Sequence, residues 1–507
     1  MPQSQQKSED IAERIRNKIA SEEEFLRREE EKEANNRRKN RPVVVITYLM
    51  VAVFMCLVVY IIYFMQMKAE VTIANSRNVR QDTFADRVVR GSVITSDGEV
   101  IAETVVDENG NEKRHYPYGN MFAHAVGYDT HGRSGLELSG NFYMLRSHTN
   151  IVEKITKGLK DEKQRGDNIV TTLDKRLQET AYNALGYANG AVVAIEPSTG
   201  RILCMVSKPD FDPNDIENVW EYLHTEEGEK SSVLLNRATQ GMYAPGSTFK
   251  VVTLLAYLRE HPNDASNYDY TCYGEDDYAN VEISCAGGYA HGEVSLESSL
   301  AYSCNTSFAN IGMTLDKAGY KKTAEDFLIN KDLPYDGEYY KSHFDIDASS
   351  KDTEIPQTAI GQGETRITPL QNAIIMCSIA NGGELMKPYL IDGVESANGT
   401  KIKTMKPKSA GSLIQPSEAK ELTEYMKSVC DYGTAAWYFS DTSYDVAGKT
   451  GTAEYDNEGS CNSWFAGFSN PEHPDLVVSV IVEDSDENGI NATGVARQLF
   501  DTYYAGQ

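Results

Sequence analysis

A mixed α/β (α+β) architecture is predicted for this chain. It comprises a single N-terminal transmembrane helix, a small β-rich segment, and a larger domain whose antiparallel sheet is flanked by helices. Three observations predict it. Val43 to Met65 is an uncharged apolar run of 23 residues. Residues 66–165 alternate short β-like runs with Gly and polar turns. Beyond Asp167, apolar β runs near both ends of the segment bracket helical patterns, which points to strands meeting in one sheet with helices over it.

The apolar run sets the topology. As a helix it covers roughly 35 Å at 1.5 Å per residue, enough to span a bilayer. It is too long for the apolar core of a cleaved signal peptide. Arg37, Arg38, Lys39 and Arg41 crowd its N-terminal side, whereas only Lys68 lies close on the other. The positive-inside rule therefore expects residues 1–42 in the cytoplasm and everything after residue 65 outside, in a single-pass membrane protein. Residues 1–42 are densely charged with a net of +1, and read as a short solvated helix or a disordered tail.

In residues 66–165, Arg90 to Ala102 reads as strand, Asp97-Gly98 turn and strand, and Gly135-Leu136-Glu137 precedes a helix. No nucleophile–base set is visible there, so the segment is expected to be a spacer. Residues 166–507 form the expected main domain. Leu177–Leu185 is an amphipathic helix, and Gly190–Ile195 and Arg201–Val206 form a hairpin through Glu196-Pro197-Ser198-Thr199-Gly200. Trp464–Phe468 and Leu476–Val482 are two further strands, and Gly494–Tyr504 is a terminal helix.

Composition narrows the function. The formal charge is −26, with Asp+Glu 75 against Lys+Arg 49, so a phosphate backbone is repelled and nucleic acid is excluded as a partner. The eight cysteines include no C-x-x-C pair, and the nine histidines form no H-x-x-x-H, so neither a metal nor another cofactor is indicated. Cys272 and Cys285 lie in a polar, Tyr- and Gly-rich stretch, where a disulfide and free thiols are both open readings.

Three short motifs carry chemistry. In Ala244-Pro245-Gly246-Ser247-Thr248-Phe249-Lys250, Pro and Gly break the chain before an apolar helix. Ser247 therefore falls at a helix start, where free N–H groups favour negative charge, and Lys250 lies one turn along the same face. A lysine can serve as base for a serine only when neutral, which burial or a second cation promotes. Ser303-Cys304-Asn305 falls in a short loop between helix-like Leu296–Ala301 and Phe308–Leu315. Its hydroxyl can relay a proton, and its amide can both donate to and accept from a peptide bond. Val446 to Glu454 reads as a strand containing Lys449-Thr450-Gly451-Thr452, where Lys449 supplies positive potential and the glycines admit a close backbone.

In the order S-x-x-K, S-x-N, K-T-G, this set resembles that of the penicillin-binding proteins and related β-lactamases. Arg90-Gly91 to Ala102, Gly135-Leu136-Glu137, Thr171-Thr172-Leu173-Asp174, Asn236-Arg237-Ala238, Ile360-Gly361-Gln362-Gly363 and Trp464 to Phe468 extend the resemblance to class B penicillin-binding proteins, monofunctional peptidoglycan D,D-transpeptidases with a short pedestal. The resemblance implies a pedestal over 66–165 and a penicillin-binding/β-lactamase-like transpeptidase domain over 166–507. It implies Ser247 as acylated nucleophile, Lys250 as its base, Ser303 as proton shuttle and Lys449 as electrostatic anchor. Asn305, Thr450, Gly451 and Thr452 would bind the substrate, with the N–H groups of Ser247 and Thr452 as oxyanion hole. Cys304, at a position often Ser or Asp in relatives, is expected to change little. The implied partners are stem peptides ending in D-Ala-D-Ala, an amine acceptor, β-lactams and a membrane glycan polymerase of the SEDS type.

Rival readings are a serine β-lactamase or D,D-carboxypeptidase on the same fold, a β-lactam sensor, and a catalytically silent scaffold. Asn305 stands where the oxacillinase-type β-lactamases usually have an apolar residue. The sensors carry several spans and an H-E-x-x-H motif, where this sequence shows one span and no such motif.

Overall fold

The computed structural model describes residues 3–67, 87–148, 163–454 and 460–506. The chain divides into two compact units, Met1–Ile73 and Ala74–Gln507.

The first unit is one α-helix, α1 (Gln3–Met67), of 65 residues. It runs straight from the charged tail into the apolar segment, with Pro42 inside it, where a short helix or a disordered tail was expected. An i,i+4 pair, Arg28 Nη2 to Glu24 Oε1 at 2.7 Å, lies on its exposed charged part. The apolar part is long and apolar enough to cross a membrane. Lys68, used in the charge comparison, lies outside the described residues, as do residues 69–86 and 149–162 of the expected pedestal.

The centre of the second unit is a five-stranded antiparallel sheet. Its strands are β1 (Gly190–Glu196), β2 (Arg201–Lys208), β3 (Val446–Glu454), β4 (Cys461–Ser469) and β5 (Val477–Val482), in spatial order β3-β4-β5-β1-β2. The expected hairpin is β1–β2, with Val192 opposite Val206. Every residue of β4 and β5 is buried, so both faces of the sheet are covered. Helices α2 (Lys175–Ala184), α3 (Lys250–Glu260), α4 (Asn305–Thr314), α5 (Pro369–Ala380), α6 (Pro416–Asp431) and α7 (Ala492–Ala505) surround it. Helix α5 packs on β1, β4 and β5, while α7 packs on β4, β5 and α2. Local chemistry sets the helix starts: the Asp174 carboxylate accepts from the N–H groups of Arg176 and Leu177, and Thr368 caps α5 ahead of Pro369.

A second sheet has six strands in the order Lys401–Thr404, Ile391–Glu395, Asn168–Thr171, Val93–Ile94, Val100–Val106, Glu112–His115. It draws strands both from the expected pedestal and from residues 168–171 and 391–404. The Asp97-Gly98 turn forms as read, with Gly98 N–H donating to the Thr95 carbonyl at 3.1 Å. Gly135-Leu136-Glu137 is itself the first turn of a helix (Gly135–Ser139), and Glu137 is fully buried. Its carboxylate accepts from Arg90 Nε and Arg114 Nε, both at 2.7 Å. Burial alone would raise the Glu137 pKa, but the Arg114 and Arg90 guanidiniums overcome it and hold the carboxyl below its ordinary value.

Removing one member of such a buried cluster strands the others' charge, so Glu137→Ala is expected to cost about 3–5 kcal/mol. A fall of that size in the unfolding free energy, read from the urea midpoint and slope, checks it. An unchanged midpoint would mean that the cluster does not hold the second sheet.

Candidate active site

The segment Gly246–Phe249 is a 3-10 turn leading directly into α3, so Ser247 stands at the head of a helix whose first α-helical residue is Lys250. Three contacts hold this head in place. Gly246 N–H donates to the Gly361 carbonyl at 2.9 Å. Trp464 Nε1, on β4, donates to the Ala244 carbonyl at 3.1 Å. Gly246 has φ +53, and a Cβ there would stand 2.6 Å from the Thr452 carbonyl, so only glycine lets the turn lie this close to β3. Across the same contact, a Cβ on Gly451 would meet Thr248 Cγ2 at 3.1 Å. The serine turn and the Lys-Thr-Gly strand are thus in direct contact.

Ser303-Cys304-Asn305 closes the third side. Helix Leu296–Ala301 ends, Ser303 takes the left-handed conformation (φ +59), and α4 begins at Asn305. Glycine usually fills such a helix-ending position, and a side chain there costs about 1–2 kcal/mol. The strain aims the Ser303 hydroxyl between two ammonium groups. Lys449 Nζ donates to Ser303 Oγ at 2.9 Å, and Lys250 Nζ lies 3.3 Å from the same oxygen. Lys250 Nζ also donates to the Ser303 carbonyl at 2.7 Å and to Asn305 Oδ1 at 2.6 Å. Lys449 Nζ adds the Thr450 carbonyl at 3.0 Å.

Both lysine side chains are fully buried. Burial pulls Lys250 down to about 7, partly offset by the sulfurs of Cys304 and Cys285. Burial, and then the charge of Lys250, holds Lys449 well below its ordinary value. Among the described residues the Ser247 hydroxyl makes no hydrogen bond. Ser247, Ser303, Asn305, Thr450, Gly451 and Thr452 all line one open cleft of about 1390 Å³, so every expected site residue converges there or, for the two lysines, directly beneath it.

The fold also brings in groups that the motifs do not announce. Thr434 Oγ1 hydrogen-bonds Thr450 Oγ1 at 2.5 Å, from a loop whose Thr434 N–H donates to the Ala301 carbonyl. Glu483, just after β5, accepts from Tyr243 OH at 2.6 Å and Arg237 Nε at 2.7 Å on the cleft wall. Only Arg237 carried a sequence signal, through Asn236-Arg237-Ala238. Cys272 and Cys285 are not disulfide-bonded: their sulfurs lie 3.7 Å apart. Cys304 does not face the cleft. It is fully buried beside them, so the middle residue of S-x-N carries a contact that its expected indifference missed.

A serine at a helix head, with two buried lysines meeting on a second hydroxyl beneath an antiparallel sheet's edge strand, defines a class of serine acyl-transfer fold. Residues 190–501 match the family model described as penicillin binding protein transpeptidase domain, and residues 90–169 match that of the penicillin binding protein A dimerisation domain. The chain is 30% identical over 429 residues to the peptidoglycan D,D-transpeptidase PbpA of Mycolicibacterium smegmatis, covering 80% of this chain and 85% of that one. The crystal structure of the D,D-transpeptidase domain of a peptidoglycan glycosyltransferase from Eggerthella lenta superposes with a TM-score of 0.73 at 29% identity, over 83% of this chain and 99% of that one. The imipenem acyl-enzyme complex of penicillin-binding protein A from Mycobacterium tuberculosis gives 0.72 at 27%, over 82% and 98%. The chain belongs to the penicillin-binding protein transpeptidase family, as a class B member.

Gly246 and Gly399 both have positive φ, but nothing lies within 4 Å of a Cβ at Gly399. Gly399→Ala is therefore expected to cost only the conformational part, about 1–2 kcal/mol, and Gly246→Ala clearly more. Thermal unfolding of the two variants checks this, and equal losses would mean that the Gly246–Thr452 approach is not tight.

Proposed function

We propose that this chain cross-links peptidoglycan as a D,D-transpeptidase through an acyl-enzyme on Ser247. The observation that carries the assignment is the meeting of Lys250 and Lys449 on the Ser303 hydroxyl, at 3.3 and 2.9 Å, beside the serine turn.

The donor is a stem peptide ending in D-Ala-D-Ala. Its terminal carboxylate takes hydrogen bonds from the Thr450 and Thr452 hydroxyls and the charge of Lys449. That carboxylate favours the ammonium form of Lys449, and a charged Lys449 across the Ser303 hydroxyl from Lys250, which burial already lowers to about 7, would favour neutral Lys250, so substrate binding readies the base. Neutral Lys250 accepts the Ser247 proton as Oγ attacks the penultimate carbonyl carbon. The N–H groups of Ser247 and Thr452 take the developing oxyanion, an effect worth roughly 3–4 kcal/mol per donor. The proton passes through Ser303 to the departing D-Ala nitrogen, the C–N bond breaks, and a serine ester remains. Asn305 holds the donor backbone. An acceptor amine then attacks the ester, its proton returns through the same path to Ser247 Oγ, and a new peptide bond forms. A β-lactam enters the first half of this path and stays as the ester.

Fluorescent-penicillin labelling should give one stable adduct per wild-type chain and none in Ser247→Ala. Mass spectrometry with donor and acceptor present should then find the cross-linked dimer. Fast turnover of a chromogenic cephalosporin, or only tetrapeptide product, would contradict transpeptidation.

The Arg37, Arg38, Lys39 and Arg41 cluster supports an N-terminus in the cytoplasm and a catalytic unit outside. The exposed apolar part of α1 supports a lateral contact in the membrane with a SEDS-type glycan polymerase. Replacing Val43–Met65 by an unrelated spanning helix should lose the polymerase in pull-downs. Undiminished recovery would remove the helix from that contact.

A further inference from the structure

Beside the active site, folding gathers four soft donor groups that lie far apart in the chain. Cys272, Cys285, His291 and Cys304 place one donor atom each within 4.8 Å of one another. The sequence spacing points to no metal, because no two of these residues form a recognised pair. The fold nonetheless brings the four donor atoms into one cluster.

The distances are those of a tetrahedral cage. With zinc–sulfur bonds of about 2.3 Å and zinc–nitrogen bonds of about 2.0–2.1 Å, tetrahedral angles separate two sulfurs by about 3.8 Å and a sulfur from a nitrogen by about 3.5 Å. Cys272 Sγ to Cys285 Sγ is 3.7 Å, Cys285 Sγ to Cys304 Sγ is 3.8 Å, and Cys272 Sγ to His291 Nδ1 is 3.4 Å. A disulfide would need about 2.05 Å, and pairing two of the three thiols leaves the third over.

The backbone accounts for the convergence. Cys272 ends the strand Asp269–Cys272, which pairs antiparallel with Gly292–Ser295, so Gly292 opposes Cys272 and His291 lies next to it. Cys285 follows the hairpin of Glu275–Tyr278 with Val281–Ser284, and its N–H donates to the Gly274 carbonyl at 2.7 Å. Cys304 is the cap residue immediately before α4. Residues 269–295 bury almost no apolar side chain besides Ile283 and Val294, and their local core consists of the three cysteines with Tyr270 packed on it. Short hairpins with so little core need a staple.

The surroundings suit thiolates. Gly274 N–H and Thr306 Oγ1 donate to Cys272 Sγ at 3.4 and 3.2 Å, and the backbone N–H groups of Asn305 and Thr306 donate to Cys285 Sγ. His291 stacks on Tyr302, with centroids 6.0 Å apart and planes 9° apart, which fixes its ring.

We propose that Cys272, Cys285, His291 and Cys304 bind one zinc ion, which staples residues 269–295 to the start of α4 and so positions Ser303 and Asn305. Three thiolates with one imidazole in a tetrahedron select zinc over harder cations. Binding releases three thiol protons and leaves the centre with one net negative charge. Because Cys304 lies between Ser303 and Asn305, and Asn305 Nδ2 donates to the Ser284 carbonyl at 2.8 Å, the ion ties both S-x-N side chains to the hairpin lobe.

The test uses the full chain purified in detergent. Elemental analysis is expected to find about one zinc per wild-type chain. Cobalt replacing zinc should show thiolate-to-metal charge transfer and the visible bands of a tetrahedral ion. Cys285→Ser and His291→Ala should each lose zinc. Should either variant misfold, chelator stripping and zinc return on the wild type give the same reading. Stripped protein should label with fluorescent penicillin about tenfold more slowly and recover when zinc is restored. Less than about a tenth of a zinc per chain after reconstitution, or a disulfide among Cys272, Cys285 and Cys304 in peptide mass maps, overturns the site. Equal labelling with and without zinc overturns its positioning role. Zinc content is read without any acylation, so a zinc-loaded chain that never labels would fault the proposed acyl-enzyme and leave the metal site standing.

Discussion

Two ammonium side chains buried against one hydroxyl are a costly arrangement, and the catalytic unit is built around it. Lys250 and Lys449 converge on Ser303 from a helix and a strand almost 200 residues apart. Among the described residues neither makes a salt bridge to a carboxylate, and both are cut off from water. In a low-dielectric site two such groups cannot both stay charged, so the pair gives up a proton near neutral pH. That turns an ordinary lysine into a base able to activate a serine. Stability is spent to obtain reactivity, as it is again at Ser303, whose left-handed backbone would suit glycine better.

The rest of the fold keeps this arrangement from relaxing. The central sheet supplies β3 as a rigid edge carrying Lys449. Gly246 and Gly451 let the serine turn press against that edge, and Trp464 pins it from β4. Thr434 reaches Thr450 from the loop after α6. On the far side, the sulfur cluster under Cys304 holds the loop that presents Ser303 and Asn305. Each device acts on backbone position, because a buried charge pair tolerates little slack.

The parts readable in the sequence were those whose signal is local. Ser247 and Lys250 share one turn of one helix, so their spacing alone puts them together. The strand Val446–Glu454 and the hairpin at Glu196–Gly200 show in alternation and turn residues, and both formed as read. What failed to show depended on distant partners. Gly135-Leu136-Glu137 stands out as a segment, but the burial of Glu137 against Arg90 and Arg114 shows only once the fold closes on it. Thr434 has no motif, since its role comes from a loop packed on Ala301. The Cys/His cluster escaped notice because its four members come from two hairpins and a helix start, brought together only by strand pairing. Helix α1 passes through Pro42, where local rules favour a break.

The central claim is that burial holds Lys250 near neutrality and that its charge holds Lys449 down in turn. Lysine side-chain NMR with 13C at Cε, with the Lys250 signal assigned by its loss in Lys250→Arg, measures this directly. The account predicts that Lys250 titrates at about 7 in the wild type, and that Lys449, assigned by its loss in Lys449→Met, titrates at a higher pH in Lys250→Met, where the like charge is gone. A Lys250 signal titrating at about 10.4, as in a free lysine, or a Lys449 signal that does not move when Lys250 is removed, would contradict it.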